Sequence, residues 1–200
     1  QGAKFEVRKV NGELVGTYYI KNNNGLITIN GLSQGWYTVK EVQAPTGYSL
    51  NSNTQNVEVK TDKYTQVIFE NDKLGSIRLN KIDYVTRKPI ANVKFKFTKI
   101  NGENVGEFTT DKWGEINLVN KLEPATYLIE EMAVPTGYAL DKGVRKVKID
   151  VGTETMVEWE NYPLATLDLL KIDERTKKPI SGVEFELLNS KKQSMGKFTT

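Results

Sequence analysis

Hydrophobic and polar residues alternate with a period of two along most of the chain, a pattern typical of β-strands with one buried face. The alternation is clearest over 3–10, 36–42 and 56–60. Asn-Gly pairs at 11–12 and 101–102 indicate tight turns, because Asn and Gly adopt positive φ at low cost. No segment shows a sustained 3.6-residue stripe with helix caps. Short strands separated by turns predict an all-β chain built from antiparallel β-sandwiches.

The pattern returns after 90 residues. The segment 37–48, with the sequence YTVKEVQAPTGY, recurs at 127–138 as YLIEEMAVPTGY. The same shift relates three pairs of polar residues, which are Glu41 and Glu131, Asn71 and Asn161, and Lys81 and Lys171. Similarity at a fixed period without insertions predicts a tandem array of like modules.

The phase of this repeat sets the expected domain boundaries. Residues 1–73 are expected to form a module that lacks its first strand, 74–162 a complete module, and 163–200 the N-terminal part of a third. The segments that join them, 71–75 and 161–165, are too short to act as flexible linkers. Neighbouring modules are therefore expected to stack as a semi-rigid array.

Each repeated polar residue continues the apolar row of its own strand. Side chains two positions apart lie on the same face of a strand. The apolar residues of matching parity are Ile77 and Leu79 for Lys81, Tyr127 and Ile129 for Glu131, and Val157 and Trp159 for Asn161. Rows of the same parity accompany Glu41, Asn71 and Lys171. We therefore expect all six polar side chains to point into a core.

A lysine, a glutamate and an asparagine that are buried together are the reactants for an internal amide cross-link. Burial favours the neutral forms of lysine and of carboxylic acids, and a neutral Lys81 amine is a nucleophile. The Asn161 carboxamide is the electrophile, and a protonated Glu131 can polarise its carbonyl and move protons to the departing ammonia. Reactants fixed in place gain effective molarities of about 10⁵–10⁸ M. The expected product is a Lys–Asn isopeptide bond, formed once and without a cofactor.

An ordinary buried salt bridge is the alternative interpretation of the same three residues. Lys81 and Glu131 would then form the ion pair, and Asn161 would be a hydrogen-bond partner. Buried ion pairs are often no more stabilising than apolar residues of similar volume, so this alternative gives little reason for the residues to recur.

Composition narrows the classes of function. The chain has no cysteine and no histidine, which removes most zinc sites, every cysteine nucleophile and every histidine-based triad. An enzyme that acts on outside substrates is therefore not expected. The net charge is +3 with both signs interspersed, which indicates a solvated surface and not a nucleic-acid interface. No stretch approaches the roughly 20 apolar residues of a membrane span.

At these motifs the chain resembles the Cna protein B-type domains (CnaB) of Gram-positive surface adhesins and pilins. The motifs are Leu-Asn-Lys-Ile-Asp at 79–83, Lys-Pro-Ile at 88–90, the box at 127–138, Trp-Glu-Asn at 159–161 and a second Lys-Ile-Asp at 171–173. The resemblance implies a seven-stranded, prealbumin-like (inverse immunoglobulin-like) sandwich. It also implies that Lys81 and Asn161 are the bond partners and Glu131 the catalyst.

In the outer modules the resemblance implies the same roles for fewer residues. Glu41 and Asn71 match the catalyst and the asparagine of the first module, whose lysine is expected upstream of the chain. Lys171 matches the lysine of the third module, whose glutamate and asparagine are expected beyond Thr200. Strand exchange between molecules would bring Lys171 to Glu41 and Asn71, since open sheet edges invite such pairing.

The resemblance implies a stalk segment of an extracellular, cell-wall-anchored adhesin. A bond between the first and last strands would let tension along the array pass through covalent bonds. The expected partners are neighbouring modules of the same chain, with a host matrix protein or glycan bound through other domains. A host-ligand-binding module and a pilin segment are the alternatives, because function resides in surface loops that the fold does not determine.

Overall fold

The computed structural model describes residues 1–200 and contains strands but no helices. The strands are β1 (Lys4–Lys9), β2 (Leu14–Tyr19), β3 (Gly35–Gln43), β4 (Thr54–Val59), β5 (Gly75–Asp83), β6 (Lys94–Lys99), β7 (Asn104–Thr109), β8 (Glu115–Leu122), β9 (Ala125–Ala133), β10 (Val144–Ile149), β11 (Glu154–Asn161), β12 (Glu184–Leu188) and β13 (Ser194–Thr199). The predicted all-β class is confirmed. No element is a helix of the length and apolarity needed to cross a membrane.

The chain divides into two compact units, residues 1–163 and residues 164–200. Within the first unit, β5 to β11 form a seven-stranded sandwich, with a four-stranded sheet in the order β10-β9-β6-β7 and a three-stranded sheet in the order β11-β5-β8. Alternating apolar side chains of both sheets fill the space between them. Fully buried members of this core include Phe95, Phe97, Ile129 and Trp159.

The first and last strands of this sandwich lie side by side. β5 pairs with β11 in parallel, and Lys81 is the register partner of Trp159. Every other strand pair is antiparallel. The alternation of the sequence did not indicate this one parallel pair, because a single edge strand that is buried on one face has the same pattern in either direction.

The segment 1–73 forms one four-stranded sheet in the order β2-β1-β3-β4. The strand expected at Val67, Phe69 and Asn71 is absent, and Val67 and Phe69 are only half-buried. A strand requires a neighbouring strand for its backbone hydrogen bonds, and no other strand of the chain lies beside this segment. Side chains hold it instead, since Gln55 donates to the Ile68 carbonyl (2.6 Å) and Asn51 to the Glu70 carbonyl (2.9 Å).

The second unit, residues 164–200, is built on the β12–β13 hairpin. An isolated bridge between Ile172 and Pro179 precedes it. The sequence predicts an inward-pointing row at Leu167, Leu169 and Lys171. In the structure these residues are exposed and form no strand. A row of apolar side chains is buried only when a second layer covers it, and this unit contains a single hairpin.

Candidate functional site

The candidate site lies at one end of the complete sandwich, between its two sheets. Lys81 is on β5 and Asn161 at the end of β11, while Glu131 is on β9 of the facing sheet. The side chains of Lys81 and Glu131 are 0% exposed, and Asn161 is 1% exposed. All three side chains therefore point into the core, as their strand parity predicts, and the fold brings them together.

The Lys81 side chain extends the buried row of Ile77 and Leu79. Its Nζ atom donates a hydrogen bond to the Trp159 carbonyl at 3.0 Å and lies 3.6 Å from Glu131 Oε1. The second distance is longer than a hydrogen bond, so the amine rests beside the carboxyl without a close ion-pair contact.

Burial lowers the pKa of Lys81 from its ordinary value of 10.5 to about 8. Loss of hydration is the main cause, because it penalises the ammonium form, and the nearby Glu131 opposes the shift. At neutral pH about a tenth of such a group is the neutral amine. The lysine therefore supplies an appreciable population of nucleophile.

Glu131 uses its two carboxyl oxygens differently. Oε2 accepts the Asn161 side-chain amide at 2.8 Å and the Asp141 backbone N–H at 2.7 Å. Oε1 is buried, has no hydrogen-bond partner and faces Lys81. One oxygen thus holds the carboxamide, and the other is open to the amine.

The Asn161 carboxamide is held by its nitrogen alone. Nδ2 donates to the Ala139 carbonyl at 2.7 Å as well as to Glu131, while the buried Oδ1 accepts no hydrogen bond. A buried acceptor without a donor costs free energy, on the order of 1–3 kcal/mol. The resting arrangement is therefore fixed in orientation and incompletely satisfied.

The first repeat contains the same arrangement without a lysine. Asn71 Nδ2 donates to Glu41 Oε2 at 2.6 Å and to the Ser49 carbonyl at 2.9 Å, and Glu41 Oε2 also accepts the Asn51 backbone N–H at 2.8 Å. Glu41 is 0% exposed, and its Oε1 has no partner. Lys171, by contrast, is exposed and lies near no glutamate or asparagine of this kind within its own unit.

Sequence reasoning missed several groups that shape the site. The carbonyls of Trp159 and Ala139 and the N–H of Asp141 are backbone atoms, which a residue pattern does not reveal. Trp159 and Phe95, the register partners of Lys81 and Glu131, pack against each other edge to face with ring centroids 5.0 Å apart. The repeat offered one signal, since position 141 and its counterpart Asn51 are both polar and lie ten residues after the glutamate.

This geometry presents an amine and a carboxamide to the same carboxyl group in a site without solvent contact. Proton transfer between Lys81 and Asn161 through Glu131 needs only short movements, and nucleophilic attack by the amine is the reaction that these groups can undergo. No group of three or more His, Cys, Asp or Glu residues is arranged to hold a metal ion.

Two repeats, one of them a complete two-sheet sandwich with a buried polar cluster, define a tandem prealbumin-like protein. The sequence profile of the SpaA prealbumin-like fold domain matches residues 1–73 and 75–163. The chain belongs to this family, and the predicted relationship to surface adhesins and pilins is confirmed.

A collagen adhesin of Staphylococcus aureus is 31% identical to the chain over 116 residues. That match covers 55% of this chain and 9% of the adhesin, so the chain spans only a small part of this relative. This relative is an adhesin by its description.

Solved structures agree with the fold. The shaft pilin SpaA of Lactobacillus rhamnosus GG aligns with a TM-score of 0.51 at 17% identity, over 84% of this chain and 90% of that protein. A streptococcal ancillary pilin aligns with a TM-score of 0.50 at 23% identity, over 82% of this chain and 58% of that protein. At these identities the likeness concerns the fold.

Proposed function

We propose that the chain is a stalk segment of a bacterial cell-surface adhesin, in which an autocatalytic Lys–Asn isopeptide bond reinforces each complete module. One observation carries the proposal. Lys81 and Asn161 approach opposite oxygens of the buried Glu131 carboxyl, at 3.6 Å and 2.8 Å, in a site closed to solvent.

The reaction is a transamidation within the folded module. The neutral form of Lys81 attacks Cγ of Asn161 through Nζ, and Glu131 takes one proton from the attacking nitrogen. Glu131 then passes the proton to Nδ2, the Cγ–Nδ2 bond breaks, and ammonia leaves as the new Nζ–Cγ amide forms. The amine and the carboxamide are converted to a secondary amide and ammonia, so the step requires no oxidant, metal or cofactor.

The product is favoured because the unreacted site leaves buried polar atoms without hydrogen-bond partners. Before reaction the site buries a charged or ionisable amine, an unpaired Glu131 Oε1 and an unpaired Asn161 Oδ1. Afterwards the lysine carries no charge, and the new amide N–H is a donor beside Glu131. Loss of ammonia to the solvent makes the step effectively irreversible.

The strand arrangement gives the bond a mechanical role. β5 and β11 run parallel, so the start of β5 and the end of β11 lie at opposite ends of the module. A Lys81–Asn161 bond would pass tension from β5 directly to the end of β11. Residues 82–160 would then carry no load, and forced unfolding of the module would require rupture of covalent bonds.

The same proposal extends to the outer repeats and to the location of the protein. We assign the modules to 1–73, 74–162 and 163–200, with Glu41 and Asn71 as catalyst and bond partner in the first and Lys171 as bond partner in the third. The buried Glu41–Asn71 contact of 2.6 Å supports the first assignment. An extracellular site, anchored to the Gram-positive cell wall, fits a chain whose relatives are adhesins and pilins.

Direct binding of a host ligand is the second candidate function. The match to a collagen adhesin favours it, as do exposed aromatic residues such as Trp36 and Trp113. These two tryptophans are not at equivalent positions of the repeat, so they do not form a shared surface. Titration of collagen and of matrix glycans onto an immobilised chain separates the candidates, because a stalk segment should bind neither.

Intact-mass measurement tests the proposed bond. The purified chain should weigh about 17 mass units less than its sequence requires, because one ammonia is lost. Lys81→Ala, Glu131→Ala and Asn161→Ala should each restore the full mass. A wild-type chain of unmodified mass, with a folded circular-dichroism spectrum, would refute the proposal.

A further inference from the structure

We infer that Asp141 is a positioning residue that aligns the Glu131 carboxyl with the strand that carries Asn161. This inference rests on the proposed function, since it assigns a residue to the bond-forming reaction. Asp141 lies in the loop between β9 and β10 and touches both partners of the site, Glu131 through its backbone and β11 through its side chain.

The backbone of Asp141 fixes which carboxyl oxygen meets the carboxamide. Its N–H donates to Glu131 Oε2 at 2.7 Å, next to the bond from Asn161 Nδ2 at 2.8 Å. With both donors on Oε2, the carboxyl cannot rotate without breaking two hydrogen bonds. Oε1 is thereby kept toward Lys81 as the oxygen that receives its proton.

The side chain of Asp141 anchors the loop to β11. Oδ2 accepts the indole N–H of the fully buried Trp159 at 2.9 Å, and Oδ1 accepts the Gly143 N–H at 2.8 Å. Arg145 adds a third contact, with its guanidinium 3.9 Å from the Trp159 ring centroid and 3.7 Å from Asp141 Oδ2. Because the Trp159 carbonyl also accepts the Lys81 amine, this anchor fixes the position of the nucleophile as well.

The first repeat performs the same task with a different pair of residues. Asn51 replaces Asp141, and its N–H donates to Glu41 Oε2 at 2.8 Å. Phe69 replaces Trp159 and has no N–H to offer, so the Asn51 side chain instead donates to the Glu70 carbonyl at 2.9 Å. An acceptor at the loop position thus accompanies Trp, and a donor there accompanies Phe. In both repeats the loop is linked to the segment that carries the asparagine, which is the strand β11 in the complete module and the irregular segment before Asn71 in the first repeat.

The two repeats therefore define a matched set of variants. Asp141→Ala removes the link, and Asp141→Asn turns an amide toward the indole N–H. Asp141→Asn with Trp159→Phe installs the combination of the first repeat. Bond formation is followed by cell-free synthesis of the 200-residue chain, with samples stopped in acid and the loss of about 17 mass units measured over time.

A positioning role for Asp141 predicts a specific order of the rates of bond formation. Asp141→Ala should form the bond at least about tenfold more slowly, since a displacement on the order of 1 Å can slow a reaction about 100-fold. Asp141→Asn should also be slow, and the double variant should react faster than Asp141→Asn alone. The unfolding midpoint of each variant is measured separately in a Lys81→Ala background, where no bond forms.

Each outcome decides the inference. Wild-type speed for Asp141→Ala, or a double variant no faster than Asp141→Asn, would overturn it while the proposed function stands. If Asp141→Ala fails to fold, the comparison between Asp141→Asn and the double variant decides. A wild-type chain that never loses ammonia would overturn both the inference and the proposed function.

Discussion

The Asn161 carboxamide and the Glu131 carboxyl are joined by a 2.8 Å hydrogen bond from Nδ2 to Oε2, across the two sheets of the sandwich. Ninety residues earlier, Asn71 and Glu41 make the same contact at 2.6 Å. The contact forms in the first repeat even though no lysine lies beside it. The carboxyl and the carboxamide are thus preassembled by the fold, and in the proposed reaction the lysine completes the site.

Loss of the cross-link should lower the stability of the complete module. A link between residues 81 and 161 closes a loop of about 80 residues, for which the chain-entropy model gives about 4–5 kcal/mol. Asn161→Ala should therefore unfold at a clearly lower denaturant concentration than the wild type. Chemical denaturation followed by intrinsic tryptophan fluorescence measures the difference.

The matched control for this prediction is Lys146→Ala, which removes an exposed lysine of β10. Its midpoint should stay close to that of the wild type. Equal midpoints for Asn161→Ala and the wild type would mean that no covalent link contributes to stability.

Bond formation should accelerate as the pH rises toward 8. In the proposed reaction the attacking species is the neutral amine, and burial lowers the pKa of Lys81 to about 8. Below that value the neutral fraction grows about tenfold per pH unit, and above it the fraction saturates. Chains synthesised at pH 6 and then shifted to a series of higher pH values should lose ammonia at rates that follow this curve.

A rate that is constant between pH 6 and pH 9 would contradict the role of Lys81 as a titrating nucleophile. Far-ultraviolet circular dichroism at each pH provides the control, because the fold must be unchanged over the range in which rates are compared.

The site was predictable from the sequence because it depends on parity. Lys81, Glu131 and Asn161 each continue an apolar row of a strand, and a strand that buries such a row must bury them too. Asp141 was not predictable in this way. Its contacts depend on a loop conformation and on a backbone N–H, neither of which has a periodic signature.

Strand parity failed to predict burial where a segment had no neighbouring strand or sheet. Leu167 and Leu169 have the pattern of a buried row but are exposed, and Val67 and Phe69 are only half-buried. The alternation of apolar and polar residues predicts which side chains share a face of a strand. Whether that face is buried depends on a second layer of structure, which the alternation does not predict. The parallel pairing of β5 and β11 was likewise invisible, since it is a relationship between strands far apart in sequence.

Forced unfolding should leave the complete module intact. When the chain is pulled from its two ends in a single-molecule experiment, the segment between Lys81 and Asn161 should not extend. In Asn161→Ala the same segment should be released as a step of about 270 Å, the contour length of residues 82–160. A step of that size in the wild type would contradict the proposed force path.

Covalent exchange between molecules stays a prediction that a denaturing gel can test. Lys171 of one copy would react with Asn71 of another, with the buried Glu41 as catalyst. Concentrated samples should then show a band at twice the 22.6 kDa of the chain. Lys171→Ala should abolish that band, and its absence from wild-type samples would exclude the exchange.

Peptide mapping of the wild-type chain tests the central claim most directly. Trypsin cannot cleave at an acylated lysine, so a Lys81–Asn161 bond should yield one branched product, in which residues 79–87 are joined to residues 149–171 with the loss of ammonia. Tandem mass spectrometry of that product should locate the link at the two named side chains. Recovery of 79–81, 82–87 and 149–171 as separate, unmodified peptides from folded protein would contradict the account.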